Sequence, residues 1–336
     1  MVVIRFSAMG DVAMAVPVIR QLLDQHPHLY VTMVSNASFA PLFAGHDRLN
    51  FVAAHLKGKH AGWRGMYRLF RELRSTGKID RVADLHGVLR ATLLRIFFIL
   101  TGTKVCSIHK GRKEKKLLTA HLNKQLVPLK HTTDRYAAVF QELGFPVLLS
   151  SSYRLQSSPM PSKIPLHDKE SVCIGIAPFA KHPLKMYPLE QTRALVSALS
   201  QLPVTIFLFG AGSQETEILQ TWTNNRNVFN LANAFHLSEE LSIISNLQLM
   251  VSMDSANMHL ASLFGVPVVS IWGPTHPFAG FNGYGQSLDN AIGLNLTCRP
   301  CSVYGNKPCF RKDHACMQQL PHSLIYQKVT NLLHFS

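Results

Sequence analysis

The sequence predicts an α/β protein of two doubly wound domains, and three observations carry this. The chain opens on a strand, a glycine turn, a helix and a second strand: Val2 to Phe6, Ser7-Ala-Met-Gly10-Asp11, Val12 to Asp24 and Leu29 to Ser35. The same rhythm restarts at Val172, after a Ser-, Pro- and Lys-containing stretch from Ser150 to Ser171 that reads as a linker. The length, 336 residues, is more than one core usually serves.

Each element has a local reason. Val2 to Phe6 is a short apolar run suited to a buried strand. Val12 to Asp24 has apolar residues at helical spacing, with Pro17 predicting a kink or a late start. Arg81 to Leu85 reads as a strand ending at Asp84-Leu-His86-Gly87, Val88 to Leu100 as a helix and Thr103 to Ile108 as a strand. His109 to Lys116 reads as a basic loop, and His131 to Leu143 as an amphipathic helix stopped by Gly144-Phe-Pro146. In the second half, Val172 to Ala177, Val204 to Phe209 and Leu249 to Met253 are strands; Leu189 to Leu199 and Ser238 to Leu247 are helices.

Asp254 to Thr275 follows as a loop, a short helix, a glycine stop at Gly265, a buried strand and a Gly273-Pro274-Thr275 loop. Both loops belong at the carboxyl edge of a parallel sheet, where ligands bind. A helix N-terminus aimed at that edge is an anion site, which suggests a nucleotide or diphosphate ligand.

Composition narrows the partners. Apolar residues make up 47% of the chain, ample for packed cores, and the net charge is +15. From Lys57 to Arg135 there are 19 Lys or Arg and 5 Asp or Glu, 19 − 5 = +14, so one part of the first half holds nearly all of it. Such a cluster implies an acidic partner: nucleic acid, anionic lipid or a phosphorylated substrate. No helix-turn-helix, zinc-finger or RNA-binding signature supports the first. The first turn lacks the three glycines of a dinucleotide fingerprint, which counts against a nicotinamide-dependent oxidoreductase. Met1-Val-Val-Ile-Arg5 is too short for a signal peptide. The most lipid-like run, Ala91 to Leu100, is broken by Arg95 and falls short of the ~20 residues that span a bilayer. A cytoplasmic, peripheral location is expected.

Several residues are candidates for chemistry. Asp11, between first strand and first helix, reads either as a helix cap or as a general base for a sugar hydroxyl. Lys185, in a loop after a strand end, reads as solvated or as the partner of a leaving diphosphate. Gly210-Ala-Gly212-Ser-Gln-Glu215 resembles a nucleotide loop without its third glycine, and Glu215 suits either ribose hydroxyls or the first helical turn. Asp254 reads as a helix cap or an acceptor for sugar hydroxyls, and His259 as a core residue or a diphosphate ligand. Cys298, Cys301, Cys309 and Cys316, with His314 near, read either as a structural zinc set or as reduced thiols packing a loop.

At these residues the chain resembles the glycosyltransferase family 9 heptosyltransferases. The pieces that match in order are Arg5-Phe-Ser-Ala-Met-Gly10-Asp11-Val12 with Pro17, Asp84-Leu-His-Gly87 with Arg90, Lys185-Met-Tyr-Pro188, and Asp254 to Thr275. Tyr187 stands where the family often has Trp, and Ser255-Ala256-Asn257 departs from the family's usual triplet. The Cys-x-x-Cys cluster is similar to one seen in many members. The resemblance implies a GT-B fold, two Rossmann-like domains facing a cleft. Residues 1–160 would bind acceptor, 161–318 would bind the nucleotide-sugar, and 319–336 would form a helix crossing back to the first domain.

The resemblance also implies an inverting transfer of heptose from ADP-L-glycero-β-D-manno-heptose to the Kdo or heptose of the lipopolysaccharide inner core. No cofactor or catalytic metal is implied. Asp11 would be the general base and Lys185 would stabilise the departing diphosphate. Gly10, Gly210, Glu215, Asp254, Ser255, Ala256, Asn257, Met258 and His259 would line the donor. Arg90, Arg112 and Lys113 would meet an anionic Kdo–lipid A acceptor. Trp63, Tyr67, Leu69 and Phe70, among Arg64, Arg68, Arg71 and Arg74, suit anionic lipid. A monomer is expected. The rival readings are a transferase of another nucleotide-sugar on the same fold, and a nucleic-acid-binding protein.

Overall fold

The computed structural model describes residues 1–164 and 171–335, so residues 165–170 of the expected linker lie outside the described residues. The chain divides into two compact units. One comprises residues 1–110 and 132–153, the other 111–131 and the chain from 154 on.

The first unit is built from β1 (Val2–Ile4), α1 (Met9–Gln25), β2 (Val31–Ser35), β3 (Leu49–Ala53), α2 (Gly62–Ser75), β4 (Arg81–Asp84), α3 (Leu89–Leu100) and β5 (Lys104–Ser107). The helix α4 (Arg112–Leu118) then falls in the second unit, and α5 (Thr132–Glu142) returns to the first. Among the described residues the sheet is parallel, in the order β3-β2-β1-β4-β5. β1 sits at its centre with all three residues buried, as an uninterrupted apolar run requires when helices cover both faces. The sheet runs outward from β1 through β2 and β3, then restarts on the other side with β4. The reversal between β1 and β4 is where ligands bind in such sheets.

The second unit continues with β6 (Val172–Ala177), α6 (Leu189–Leu199), β7 (Val204–Leu208), α7 (Ser213–Gln220), β8 (Val228–Asn230) and α8 (Leu237–Ile244). It ends with β9 (Leu249–Met253), α9 (Ala256–Leu263), β10 (Val268–Ile271), β11 (Ala291–Ile292), α10 (Ala315–Gln318) and α11 (His322–Leu333). Its sheet, also parallel, has the order β11-β10-β9-β6-β7-β8, with the reversal between β6 and β9. Its core joins Ile174, Ile206, Leu249 and Ile271 of the strands to Leu195 and Leu199 of α6.

The structure differs from the sequence reading at four places. The helix α1 begins at Met9 and runs through Pro17, which has no N–H to give the helix ladder. The expected basic loop contains α4, started by Gly111 in the left-handed region (φ 60). Residues 111–131 are built into the second unit. Lys124 Nζ donates to the carbonyls of Thr297, Cys298 and Pro300 at 3.2, 2.7 and 3.0 Å, and the Lys115 ammonium lies 4.3 Å over the Phe281 ring. The last helix also belongs to the second unit, because Ile325 and Val329 are fully buried in that unit's core.

Candidate functional site

In the first unit the switch point is made by the segments leaving β1 and β4. Arg5 follows β1 and is buried. Its guanidinium donates to the Leu85 carbonyl at 2.7 Å and pairs with the Asp11 carboxylate at 2.6 Å. Asp11 lies in the first turn of α1 and also accepts the Ala8 N–H at 3.4 Å. It therefore does work as a cap, while 29% of its side chain stays exposed against 9% for Arg5. The Tyr136 hydroxyl of α5 donates to the Asp11 backbone carbonyl at 3.2 Å, fixing the turn from the other side.

The segment after β4 is shaped by Asp84. Its buried carboxylate accepts the N–H groups of His86 and Gly87, both at 2.8 Å, and pairs with Arg95 of α3 at 3.2 Å. Gly87 adopts φ 57, and a side chain there would press on the Lys110 stem at 3.0 Å. The turn holds His86 beside Phe6, whose N–H donates to His86 Nδ1 at 3.3 Å. Burial, then the charges of Arg5 and Lys110, push the His86 pKa down to about 3. The ring is neutral near pH 7, and with Nδ1 accepting, its proton sits on Nε2. The Asp84-Leu-His86-Gly87 motif is thus a turn that presents a neutral imidazole next to the Arg5–Asp11 pair.

The second unit repeats the device at its own switch point. Lys185 closes a short 3₁₀ turn, Pro183–Lys185, after β6, and Asp254 directly follows β9. Their side chains pair at 2.9 Å, with 14% of the lysine and 9% of the aspartate exposed. Asp254 thus holds Lys185 rather than capping α9. No side chain caps α9: Ser255, its N-cap, sits with its hydroxyl 3.1 Å from that of Ser252. The first amides of α9 keep their capacity for an anion. Burial, then Lys185 and Lys181, lower the pKa of neighbouring His182. Gly305 (φ +70) lies against the lysine stem, where a Cβ would stand 2.2 Å from Lys185 Cγ. Arg299 braces the Gly273 loop from below, donating to Gly273 and Trp272 at 2.6 and 2.7 Å and also to Leu294.

The remaining candidates separate. Gly10 is in the first turn of α1, beside Asp11. Ser255, Ala256 and Asn257 are half-buried at the start of α9, whereas Met258 and His259 are buried within it. Glu215 closes its own loop, accepting the Ala211 N–H at 2.7 Å, and Gly210 is packed against it. Tyr187 is a core residue whose hydroxyl donates to the Leu320 carbonyl at 2.5 Å. Arg90 is exposed at the start of α3, and Arg112 and Lys113 are exposed at the start of α4. Leu69 and Phe70, expected beside lipid, are buried in the first core.

Cys298, Cys301, Cys309 and Cys316 surround one small cavity next to Leu184 and Pro274. Burial raises the pKa of the Cys301 thiol and pushes that of Cys316 up to about 11. Among the described residues, no three His, Cys, Asp or Glu side chains converge as a ligand set. Arg5, His86, Tyr136 and Gly305 were not singled out from the sequence; of these, only Arg5 and His86 stood within a recognised motif.

Two parallel α/β units, each with a charged pair at the carboxyl edge of its sheet, have the architecture of the GT-B class of glycosyltransferases. The family model for glycosyltransferase family 9 (heptosyltransferase) matches residues 66–309, and the chain belongs to this family. Lipooligosaccharide heptosyltransferase 2 of Campylobacter jejuni is 31% identical over 133 residues, 38% of this chain and 40% of that protein. Lipopolysaccharide core heptosyltransferase OpsX of Haemophilus influenzae is 22% identical over 299 residues, 87% of this chain and 83% of that protein. Among solved structures, a glycosyl transferase family 9 protein from Veillonella parvula aligns over 100% of this chain and 97% of its own, with a TM-score of 0.77 at 19% identity. The Escherichia coli heptosyltransferase WaaC with ADP aligns over 98% of this chain and 99% of its own, with a TM-score of 0.69 at 16% identity. Membership of an enzyme family stands against the purely non-enzymatic reading. Among the described residues, no helix is long and apolar enough to cross a membrane.

Proposed function

We propose that the protein transfers a heptose from ADP-L-glycero-β-D-manno-heptose to the inner core of lipopolysaccharide, with inversion at the anomeric carbon. The observation that carries this is the Lys185–Asp254 pair beside the uncapped start of α9. A cation beside a helix start that no side chain caps, at a switch point, suits a diphosphate. The ADP in the WaaC structure and the lipopolysaccharide core named for OpsX support the donor and the acceptor.

The acceptor hydroxyl attacks the anomeric carbon while the bond from that carbon to the diphosphate oxygen breaks. Asp11 takes the hydroxyl proton. ADP leaves with both electrons of the broken bond, and the Lys185 ammonium with the α9 amides neutralises the charge that develops. A single displacement of this kind inverts the centre. Arg5 aims Asp11, and Asp254 aims Lys185. Ser255, Ala256 and Asn257 border the diphosphate, His259 supports them from within α9, and Gly210 and Glu215 shape the loop beside the ribose. Arg90, Arg112 and Lys113 supply positive charge for the acid groups of a Kdo–lipid A acceptor. No metal enters this reading.

The test is transfer from ADP-heptose to Kdo-lipid A by the wild type and by Asp11→Asn. Turnover that collapses in a folded variant still binding ADP supports the reading. Turnover that survives returns Asp11 to its capping role alone. Tight ADP binding with no wild-type turnover would favour another sugar or acceptor on the same fold.

A further inference from the structure

We propose that the outer face of α3, with the adjoining edge of α2, docks on the surface of an anionic lipid bilayer. The helix α3 carries Leu89, Leu93, Ile96 and Leu100 at intervals of four, three and four, which places them in one stripe. Leu89, Ile96 and Leu100 are 78%, 44% and 77% exposed, and Ile99 beside them is 57% exposed. On α2, Trp63 and Tyr67 lie one turn apart and are 63% and 44% exposed. The Tyr67 ring meets Phe97 of α3 edge-on at 5.4 Å, so the apolar surfaces of the two helices are continuous. An exposed apolar face of this extent marks an interaction site.

Charge identifies the occupant. Arg64, Arg68 and Arg71 form the next row of α2 and are all exposed. The Arg64 guanidinium lies 5.2 Å from the Trp63 ring centre. The sole carboxylate in the two helices, Glu72, is engaged by Lys59 at 3.0 Å and His60 at 3.1 Å. An apolar stripe edged by arginines and aromatic rings is the pattern of a helix lying in the headgroup layer of an anionic membrane. A second copy of the chain fits less well, because a symmetric contact would bring the arginine rows together. The stripe on α3 takes the place of Leu69 and Phe70, which are core. The inference depends on no assignment of donor or acceptor.

The test uses the full chain with phosphatidylcholine vesicles, with and without phosphatidylglycerol. The protein is expected to co-sediment only with the phosphatidylglycerol vesicles, and less as salt rises. Leu89→Ser with Leu100→Ser should weaken binding by at least about tenfold. Arg64→Gln with Arg68→Gln should weaken it by roughly fivefold per arginine removed. Both changes are at exposed positions, so thermal melting and ADP binding should hold. Tryptophan emission gives a second readout. Trp222 and Trp272 are buried, so a blue shift on vesicle binding should come from Trp63 and vanish in Trp63→Phe. Wild-type levels of binding in both double variants, or no wild-type binding to either vesicle, would overturn the proposal. So would a dimer in solution that the same variants dissociate.

Discussion

The two units use one device with opposite polarity. At the first switch point a buried arginine holds an aspartate that is 29% exposed; at the second, an aspartate 9% exposed holds a lysine that is 14% exposed. In each pair the deeper partner orients and the shallower one is presented. The first unit therefore offers a carboxylate and the second an ammonium, although both sheets reverse in the same way. A parallel sheet supplies the location of a site, and the depth of each partner in the ion pair decides which chemistry it serves.

The largest test of this contrast is Asp11→Asn, which keeps the size of the presented group and removes its charge. Loss of transfer by a factor on the order of 10²–10⁴ is expected, with ADP affinity unchanged, read from initial rates and calorimetry. Lys185→Ala should act on the other side. A fall in kcat on the order of 10²–10³ is expected, together with weaker ADP binding. It should also destabilise the second unit by roughly 3 kcal/mol, because the Asp254 carboxylate stays buried without its partner. A variant that loses neither activity nor stability would break the parallel between the pairs.

Gly305→Ala separates orientation from charge. The new Cβ meets the lysine stem at 2.2 Å, and the left-handed backbone adds roughly 1–2 kcal/mol of strain. Turnover should fall by about tenfold. Acceptor KM should stay unchanged, since the lysine is displaced and not removed. Equal loss in both substrates' parameters would point to general unfolding.

The smallest effect concerns pH. The pKa of His86 is depressed to about 3 and that of His276 to about 4, in each case first by burial and then by neighbouring cations. The unfolded chain, with histidines near 6.5, binds more protons than the folded one below that pH. Stability from these rings is therefore complete above about pH 6.5 and is lost as pH falls toward 4 for His276 and toward 3 for His86. Melting temperature should decline across that window, and His86→Gln should flatten the decline. A curve unchanged by the substitution would place the titration elsewhere.

Much of the fold was legible because parallel strands buried on both faces leave unbroken apolar runs. The bounds of β6, α6 and β9 coincide with the sequence reading. The helix α4 was hidden because only Lys115 and Leu118 are buried in it, too few to show a period. The strands β8 and β11 are three and two residues long and carry little pattern. At the site, Asp11, Lys185 and Asp254 were visible as polar residues at strand ends. Their pairing was not, since joining Lys185 to Asp254 depends on β6 and β9 being neighbours, which no local spacing encodes. Gly305 was invisible for the same reason: its role is a close approach between distant segments.

The assignment of residues 111–131 to the second unit, between two stretches of the first, bears on how such a protein can be recombined. The chain passes from one unit to the other three times, so a single cut cannot divide it into two self-contained halves. A fragment ending at residue 153 would carry the 111–131 segment away from the Thr297, Cys298 and Pro300 carbonyls that hold Lys124. Exchange of a whole unit between relatives therefore needs three coordinated junctions, and a chimera made with one crossover inherits a mismatched anchor.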